Sequence, residues 1–192
     1  MMSTGESKDI YCNMDIDSGG WTVILRRKDG SVNFVREWED YKVGFGSLEG
    51  EFWAGNDLIH DLTTDGRNYS LRVDLESYDG EAIFAIYSSF SVGPESDNYR
   101  LHVGGYSSAS TAKDSLSTHN NMMFSTKTRD NDIYSNNCAA KFDACWWFYK
   151  CHSSLLTGTY GKNLKFAQGI TWKSDWGFNK FAKFATMMIR PN

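Results

Sequence analysis

Proline is scarce, with two residues in 192, and no stretch approaches the roughly 18 consecutive apolar residues of a membrane-spanning helix. The first scarcity favours a packed globular domain over disorder; the second leaves no candidate for membrane insertion. Basic runs are missing as well: Lys162, Lys165, Lys173, Lys180 and Lys183 are scattered, and neither a helix-turn-helix pattern nor zinc-finger spacing is found, which argues against nucleic-acid binding. No Cys-x2-Cys pair exists, so a zinc ribbon is excluded. Gly-x-Ser-x-Gly and His-Glu-x-x-His are absent, so His60, His102 and His119 read as structural and no enzyme activity is expected. Met1 to Asp9 has neither a basic start nor an apolar run and is not a signal peptide; the chain reads as one whose leader has been removed, or as a fragment.

Aromatic residues are abundant, with seven Trp, ten Tyr and twelve Phe, and the length suits one domain with a sizeable core. Charge divides unevenly. Residues 1–96 hold 8 Lys/Arg against 18 Asp/Glu (net −10) and residues 97–192 hold 12 against 6 (net +6), giving −4 together. The four cysteines, at 12, 138, 145 and 151, suggest disulfides and an oxidising, extracellular setting, with three pairings open.

Along the chain, Asp9 to Met14 and Trp21 to Leu25 read as strands, and Phe34 to Tyr41 has helical spacing. Asn56 is placed to cap a helix that buries Leu58, Ile59 and Leu62. After Gly66 the period becomes two: Ser70 to Leu75, Ala82 to Phe90 and Tyr99 to Val103 predict an antiparallel meander, and Ala182 to Ile189 a closing strand. Between Gly104 and Lys180 periodicity fails. A loop region this long inside a compact domain calls for metal ions, disulfides or a ligand.

The most informative stretch lies there, from Asp130 to His152. Asp130 and Asp132 at alternate positions in an Asp/Asn/Ser run offer oxygen ligands to a hard cation, with calcium the natural choice. It is not an EF-hand, because Ser135 and Lys141 stand where that loop needs Gly and Glu. Cys138 and Cys151 could close a loop around Cys145, Trp146 and Trp147, with His152 directly after the second sulfur; both Trp read as core. Asn68-Tyr69-Ser70 is an N-glycosylation acceptor pattern.

Several strings in order resemble the fibrinogen C-terminal domain, shared by fibrinogen chains, ficolins, tachylectins, tenascins and angiopoietins. They include Tyr11-Cys12-Asn13-Met14, Gly19-Gly20-Trp21-Thr22-Val23, Arg26-Arg27-Lys28-Asp29-Gly30-Ser31, and Gly50-Glu51-Phe52-Trp53-Ala54-Gly55-Asn56. Further on come His119-Asn120-Asn121-Met122-Met123-Phe124-Ser125-Thr126, Asp130-Asn131-Asp132, Asn137-Cys138-Ala139, Cys151-His152, Gly169-Ile170-Thr171-Trp172 and Arg190-Pro191. The resemblance implies an α+β fold over residues 9–192, after a disordered start at residues 1–8: a central antiparallel sheet with short helices and a loop-rich, calcium-binding C-terminal lobe. The family's usual opening segment is missing, so Cys12 lacks its usual partner, and Cys145 is an extra, buried thiol.

The same resemblance implies calcium held by the carboxylates of Asp130 and Asp132 and the carbonyls of Tyr134 and Asn136, and a Cys138–Cys151 disulfide. It implies a cis Lys150–Cys151 peptide, with the Cys151 N–H and the His152 ring aimed at an acetyl carbonyl. The pocket wall would be Phe142, His152, Phe166 and Ala167, with Tyr160 a further candidate. Phe142 and Phe166 replace Tyr of sugar-binding relatives, and Ala167 replaces the Asp that meets a peptide amine in one fibrinogen chain, so the pocket leans toward a neutral acetyl group. The expected function is calcium-dependent, lectin-like recognition of acetylated glycans by a secreted, extracellular, non-enzymatic domain, with a place in innate immunity. The alternative is an adhesion or receptor-ligand domain whose calcium is only structural. Weak single sites would gain avidity in a homo-oligomer.

Overall fold

A computed structural model describes residues 8–192. The expected disordered start lies outside them except for Lys8, whose Nζ donates to the carbonyls of Val43 at 2.5 Å and Ala54 at 2.8 Å. In chain order the elements are β1 (Tyr11–Asn13), β2 (Trp21–Arg27), α1 (Trp38–Val43), β3 (Phe45–Gly46), β4 (Phe52–Trp53), α2 (Asn56–Thr63), β5 (Tyr69–Ser77), β6 (Ala82–Val92) and β7 (Leu101–Tyr106). The C-terminal part adds α3 (Cys138–Phe142), β8 (Ser154–Leu155), β9 (Thr171–Trp172), α4 (Lys173–Trp176) and β10 (Ala182–Pro191).

Eight strands form one sheet in the order β3-β4-β2-β10-β5-β6-β7, with β1 also on β2, and every pairing is antiparallel. The period-two stretches build the β5-β6-β7 meander. In β6, Ile83, Ala85 and Tyr87 turn into the core while Ala82, Phe84 and Ile86 stay more open, as the pleat requires. The closing strand β10 does not lie at an edge; it runs between β2 and β5. Its continuous run from Ala185 to Ile189 is buried because both faces are covered: Met187 joins the main core, and Met188 a smaller cluster with Trp21, Val23 and Phe52.

Two local expectations shift. The first helix starts at Trp38 rather than Phe34, because Phe34 stays in the preceding loop, where its carbonyl accepts the Tyr41 hydroxyl at 2.8 Å. Asn56 is the first helical residue, fully buried, and Gly55 takes the cap position with φ 104°, a conformation open to glycine.

The loop-rich part packs on the sheet through aromatic rings. Phe124 lies 6.1 Å from Trp53 and 5.3 Å from Trp147, and Trp146 lies 5.0 Å from Trp147, all ring centroid to centroid. Trp146 and Trp147 are fully buried and belong to the core. Rings of this size stabilise the packing by about 4–6 kcal/mol each through the area they bury. Arg27, itself buried, ties the sheet to the same lobe: its Nη1 donates to Leu156 O at 3.0 Å and Gly158 O at 2.8 Å, and its Cζ lies 3.9 Å from the Phe34 ring centroid.

Candidate functional site

The loop from Asp130 to Asn137 is held at three points. Asn131 donates from its backbone to Ser125 Oγ at 3.0 Å and from Nδ2 to Phe124 O at 2.7 Å, beside the bridge between Ser125 and Trp146. Asp132 accepts from Tyr134 N at 2.8 Å and Cys138 N at 2.9 Å. Asn137 Oδ1 accepts from Ala140 N at 2.8 Å and so caps α3. These bonds fix the backbone of the loop.

The donor set fits a hard cation. Asp130 and Asp132 stand as adjacent carboxylates with no ion-pair partner among the described residues. Partial burial first, then the neighbouring Asp130 charge, raise Asp132 above the ordinary carboxylate range, the effect a divalent cation would reverse. The carbonyls of Tyr134 and Asn136 accept no hydrogen bond among the described residues. No three His, Cys, Asp or Glu side chains gather there. Backbone oxygen and water would complete the shell, which suits calcium rather than a thiolate- or imidazole-loving metal.

From this loop the chain enters α3 at Cys138, which is bonded to Cys151, and the helix ends on Phe142. The disulfide therefore sets α3 beside the Cys151–His152 segment, and closing a loop of this size contributes about 3 kcal/mol. Phe142 and His152 meet edge to face at 4.7 Å between ring centroids. The imidazole also meets Phe178, at 5.5 Å, and Phe178 in turn packs on Phe166 at 5.1 Å. Phe166 is 63% exposed, so the cluster opens to solvent.

Ala167 reaches the cluster through its backbone. It has φ 64°, an uncommon conformation for a residue with a Cβ, its N–H donates to Phe178 O at 3.0 Å, and its carbonyl accepts from His152 Nε2 at 3.1 Å. Gly158 and Gly169 allow the fold-back that brings it there, since a Cβ on Gly158 would run into Gly169 O.

Both histidines of the region are held neutral. Burial, followed by the positive potential of its neighbours, lowers His152 to about 3; its Nε2–H is used by Ala167 O, and Nδ1 lies 3.4 Å from Thr171 Oγ1. His119 lies behind the site, fully buried and lowered to about 4 by desolvation. Its Nδ1–H donates to Trp147 O at 2.7 Å and its Nε2 accepts from the N–H groups of Ser153 at 3.1 Å and Ser154 at 3.2 Å. His119 thus holds the backbone that follows His152.

Of the predicted ligand-site residues, the structure brings together Phe142, Cys151, His152, Phe166 and Ala167. It places Tyr160 elsewhere: the hydroxyl lies 2.8 Å from Lys28 O and 2.9 Å from Lys183 O, and the ring packs on Tyr78. The expected cis peptide at Lys150–Cys151 is corrected, since no described peptide bond is cis. The His152 ring nitrogens have partners within the chain, Ala167 O and Thr171 Oγ1. The Cys151 N–H has no acceptor among the described residues. Phe178 is the contact that sequence reasoning missed; only its position after Gly177 in an aromatic-rich segment marked it.

Cys12 is exposed and unpaired among the described residues, whereas the Cys145 thiol is buried, donates to Arg36 O at 3.2 Å and is pushed up to about 12 by desolvation, so it is unreactive. Three clefts of about 190, 240 and 360 Å³ lie away from Phe142 and His152. The largest runs from Arg27 and Phe34 to Tyr160.

An oxygen-lined loop and an aromatic face, both fixed by backbone hydrogen bonds and a disulfide on an antiparallel sheet, define a recognition domain. The chain belongs to the fibrinogen C-terminal family: the family described as fibrinogen beta and gamma chains, C-terminal globular domain, matches residues 2–192. Ryncolin-4 of Cerberus rynchops is 48% identical over 184 residues; the match covers 95% of this chain and 53% of that protein, so the chain spans about half the length of this curated relative. The fibrinogen-like globe domain of human ANGPTL6 superposes with a TM-score of 0.91 at 39% identity, covering 98% of this chain and 90% of that one. The lamprey fibrin D-dimer, solved with the peptide Gly-His-Arg-Pro-amide, gives 0.87 at 35% identity, covering 95% of this chain and 64% of that one. No helix of the described residues is long and apolar enough to cross a membrane.

Proposed function

We propose that this domain is an extracellular, calcium-dependent, lectin-like module that binds acetyl groups of glycans at the face of His152. The observation that carries the reading is the run of ring contacts Phe142–His152–Phe178–Phe166 beside Cys151, whose N–H has no acceptor among the described residues and whose sulfur is bonded to Cys138 at the end of the Asp130–Asn137 loop. Calcium bound by Asp130, Asp132 and the carbonyls of Tyr134 and Asn136 supplies the positive charge that holds that loop in shape. Within the chain, the Cys151 N–H donates to the acetyl oxygen, and the rings of Phe142, His152 and Phe166 enclose the methyl. The neutral imidazole acts as a wall positioned by Ala167 and Thr171. Such a site is shape-selective and performs no bond chemistry.

Immobilised N-acetylglucosamine tests this. The wild-type domain is expected to be retained in calcium and released by chelator or by free N-acetylglucosamine, and His152→Ala to lose retention at least tenfold, about 1.4 kcal/mol. Retention that ignores chelator and His152→Ala would sink the proposal.

A second reading has support from the 0.91 TM-score with the ANGPTL6 and ANGPTL2 globe domains: an adhesion or receptor-ligand domain that meets a protein, with calcium only as a structural ion. A protein partner that remains bound in saturating N-acetylglucosamine would favour it.

A further inference from the structure

Asn68-Tyr69-Ser70 is the single Asn-x-Ser or Asn-x-Thr sequence of the chain, and the recognition face makes no use of it. It begins in the turn between α2 and β5. The backbone there is fixed on both sides. Asp65 accepts from Arg67 N at 3.0 Å, from Arg67 Nε at 2.8 Å and from the Tyr69 hydroxyl at 2.9 Å, and Asn68 O accepts from Asn192 N at 2.9 Å. Tyr69 is 4% exposed and packs in the main core. The Asn68 side chain is the exception: it is exposed, and neither its Oδ1 nor its Nδ2 has a hydrogen-bond partner among the described residues.

The strand registers place Asn68 far from His152. β5 runs antiparallel to β10, with Tyr69 opposite Pro191 at one end and Ser77 opposite Ala182 at the other. At the second end Ala182 N donates to Ile170 O at 2.9 Å, and the next residue, Thr171, places Oγ1 3.4 Å from His152 Nδ1. Asn68 stands at the first end, about 25–30 Å away along the strand at roughly 3.3 Å per residue. A bulky, hydrated group at that end leaves the face of His152 open.

Chain order also keeps this segment open during synthesis. β6 follows β5 directly, but the other neighbour of β5 is β10, the last strand made. In the folded domain the Ser70 hydroxyl, which an Asn-x-Ser acceptor must present, donates to Asn192 Oδ1 at 2.5 Å, across 122 residues of sequence. At roughly 5–20 residues per second, that separation gives on the order of 6–25 s in which the contact does not yet exist.

We propose that Asn68 is N-glycosylated in the secretory pathway before β10 closes on β5, and that the folded domain carries the oligosaccharide at the end of the sheet remote from His152. Nδ2 forms a bond to C1 of an oligosaccharide held on a lipid diphosphate; the bond from C1 to the phosphate oxygen breaks, the lipid diphosphate leaves, and Nδ2 gives up one proton. No oxidant or reductant enters. The inference rests on the extracellular part of the proposed function and is independent of acetyl recognition.

The test expresses the chain in cultured eukaryotic cells behind a supplied secretion leader, so that its native location does not enter the result. Secreted wild type is expected to run as a heavier band that peptide N-glycosidase converts to the mass of the bare chain. Carried out in heavy-oxygen water, that digestion should leave a labelled carboxylate at position 68 in the tryptic peptide 68–72. The shift should be lost completely in Asn68→Gln and also in Ser70→Ala, which keeps the asparagine. From high-mannose protein, an endoglycosidase that cuts within the sugar core should release the glycan without denaturant. A secreted, folded chain with no shift overturns the inference and leaves the acetyl reading standing. A shift that survives both substitutions overturns the assignment to Asn68, and release only after denaturation contradicts the exposed placement.

Discussion

Glu51→Ala is expected to destabilise the domain by about 3–5 kcal/mol, the range seen when one partner of a buried ion pair is removed. Glu51 and Arg27 are 0% and 1% exposed, with Arg27 Nε 3.5 Å from Glu51 Oε1. The carboxylate also accepts the backbone N–H groups of Lys28 at 2.8 Å, Asp29 at 3.3 Å and Val32 at 3.1 Å. Alanine would leave three donors unsatisfied and a guanidinium without its counter-charge. The damage should spread to the recognition face, because Arg27 holds the carbonyls of Leu156 and Gly158 in the segment that follows His152. Urea unfolding measures the loss, and Glu51→Gln, which keeps an acceptor but no charge, should fall between wild type and alanine. A loss under about 1 kcal/mol for alanine would contradict the role given to this pair.

Acid is expected to weaken the fold through His119. Its unfolded value is near 6.5 and its folded value about 4, because desolvation disfavours the charged ring. The unfolded chain therefore takes up a proton first as pH falls. Stability from this residue is complete above pH 6.5 and is lost progressively down to pH 4, about 3 kcal/mol in all. His152, lowered to about 3, shifts stability in the same direction. Unfolding free energy followed from pH 7 to pH 5 should fall more steeply in wild type than in His119→Asn, by up to about 1.4 kcal/mol per pH unit. Should the variant not fold, the His119 ring proton in wild type provides the second readout and should show no titration above pH 5. A ring that titrates near 6.5 would contradict the buried, doubly bonded geometry.

The sheet was legible in the sequence because its signal is local: alternation in β6 and a β-branched run in β2 report faces that the neighbouring strands complete. The start of α1 was less so, since Phe34 has helical spacing and yet the Tyr41 hydroxyl claims its carbonyl. The oxygen-rich loop could be read from Asp130 and Asp132 directly, and the resemblance placed Phe142, His152, Phe166 and Ala167 on one face. Tyr160 went elsewhere because its hydroxyl is placed between two carbonyls on the opposite flank, a pairing over more than 100 residues that no spacing reveals. Phe178 was invisible for the same reason: it meets His152 only after the irregular chain folds back at Gly158 and Gly169. Nor did any pattern disclose that His119 holds the backbone behind the site.

Calorimetric titration of the calcium-loaded domain with N-acetylglucosamine, set against glucose, most directly tests recognition of the acetyl group. The two sugars differ only in the group that the Cys151 N–H and the aromatic rings are proposed to hold. Saturable heat with the first and none with the second is the expected result. Equal binding of both, or none by protein shown to be folded and calcium-loaded, would contradict acetyl recognition at this face.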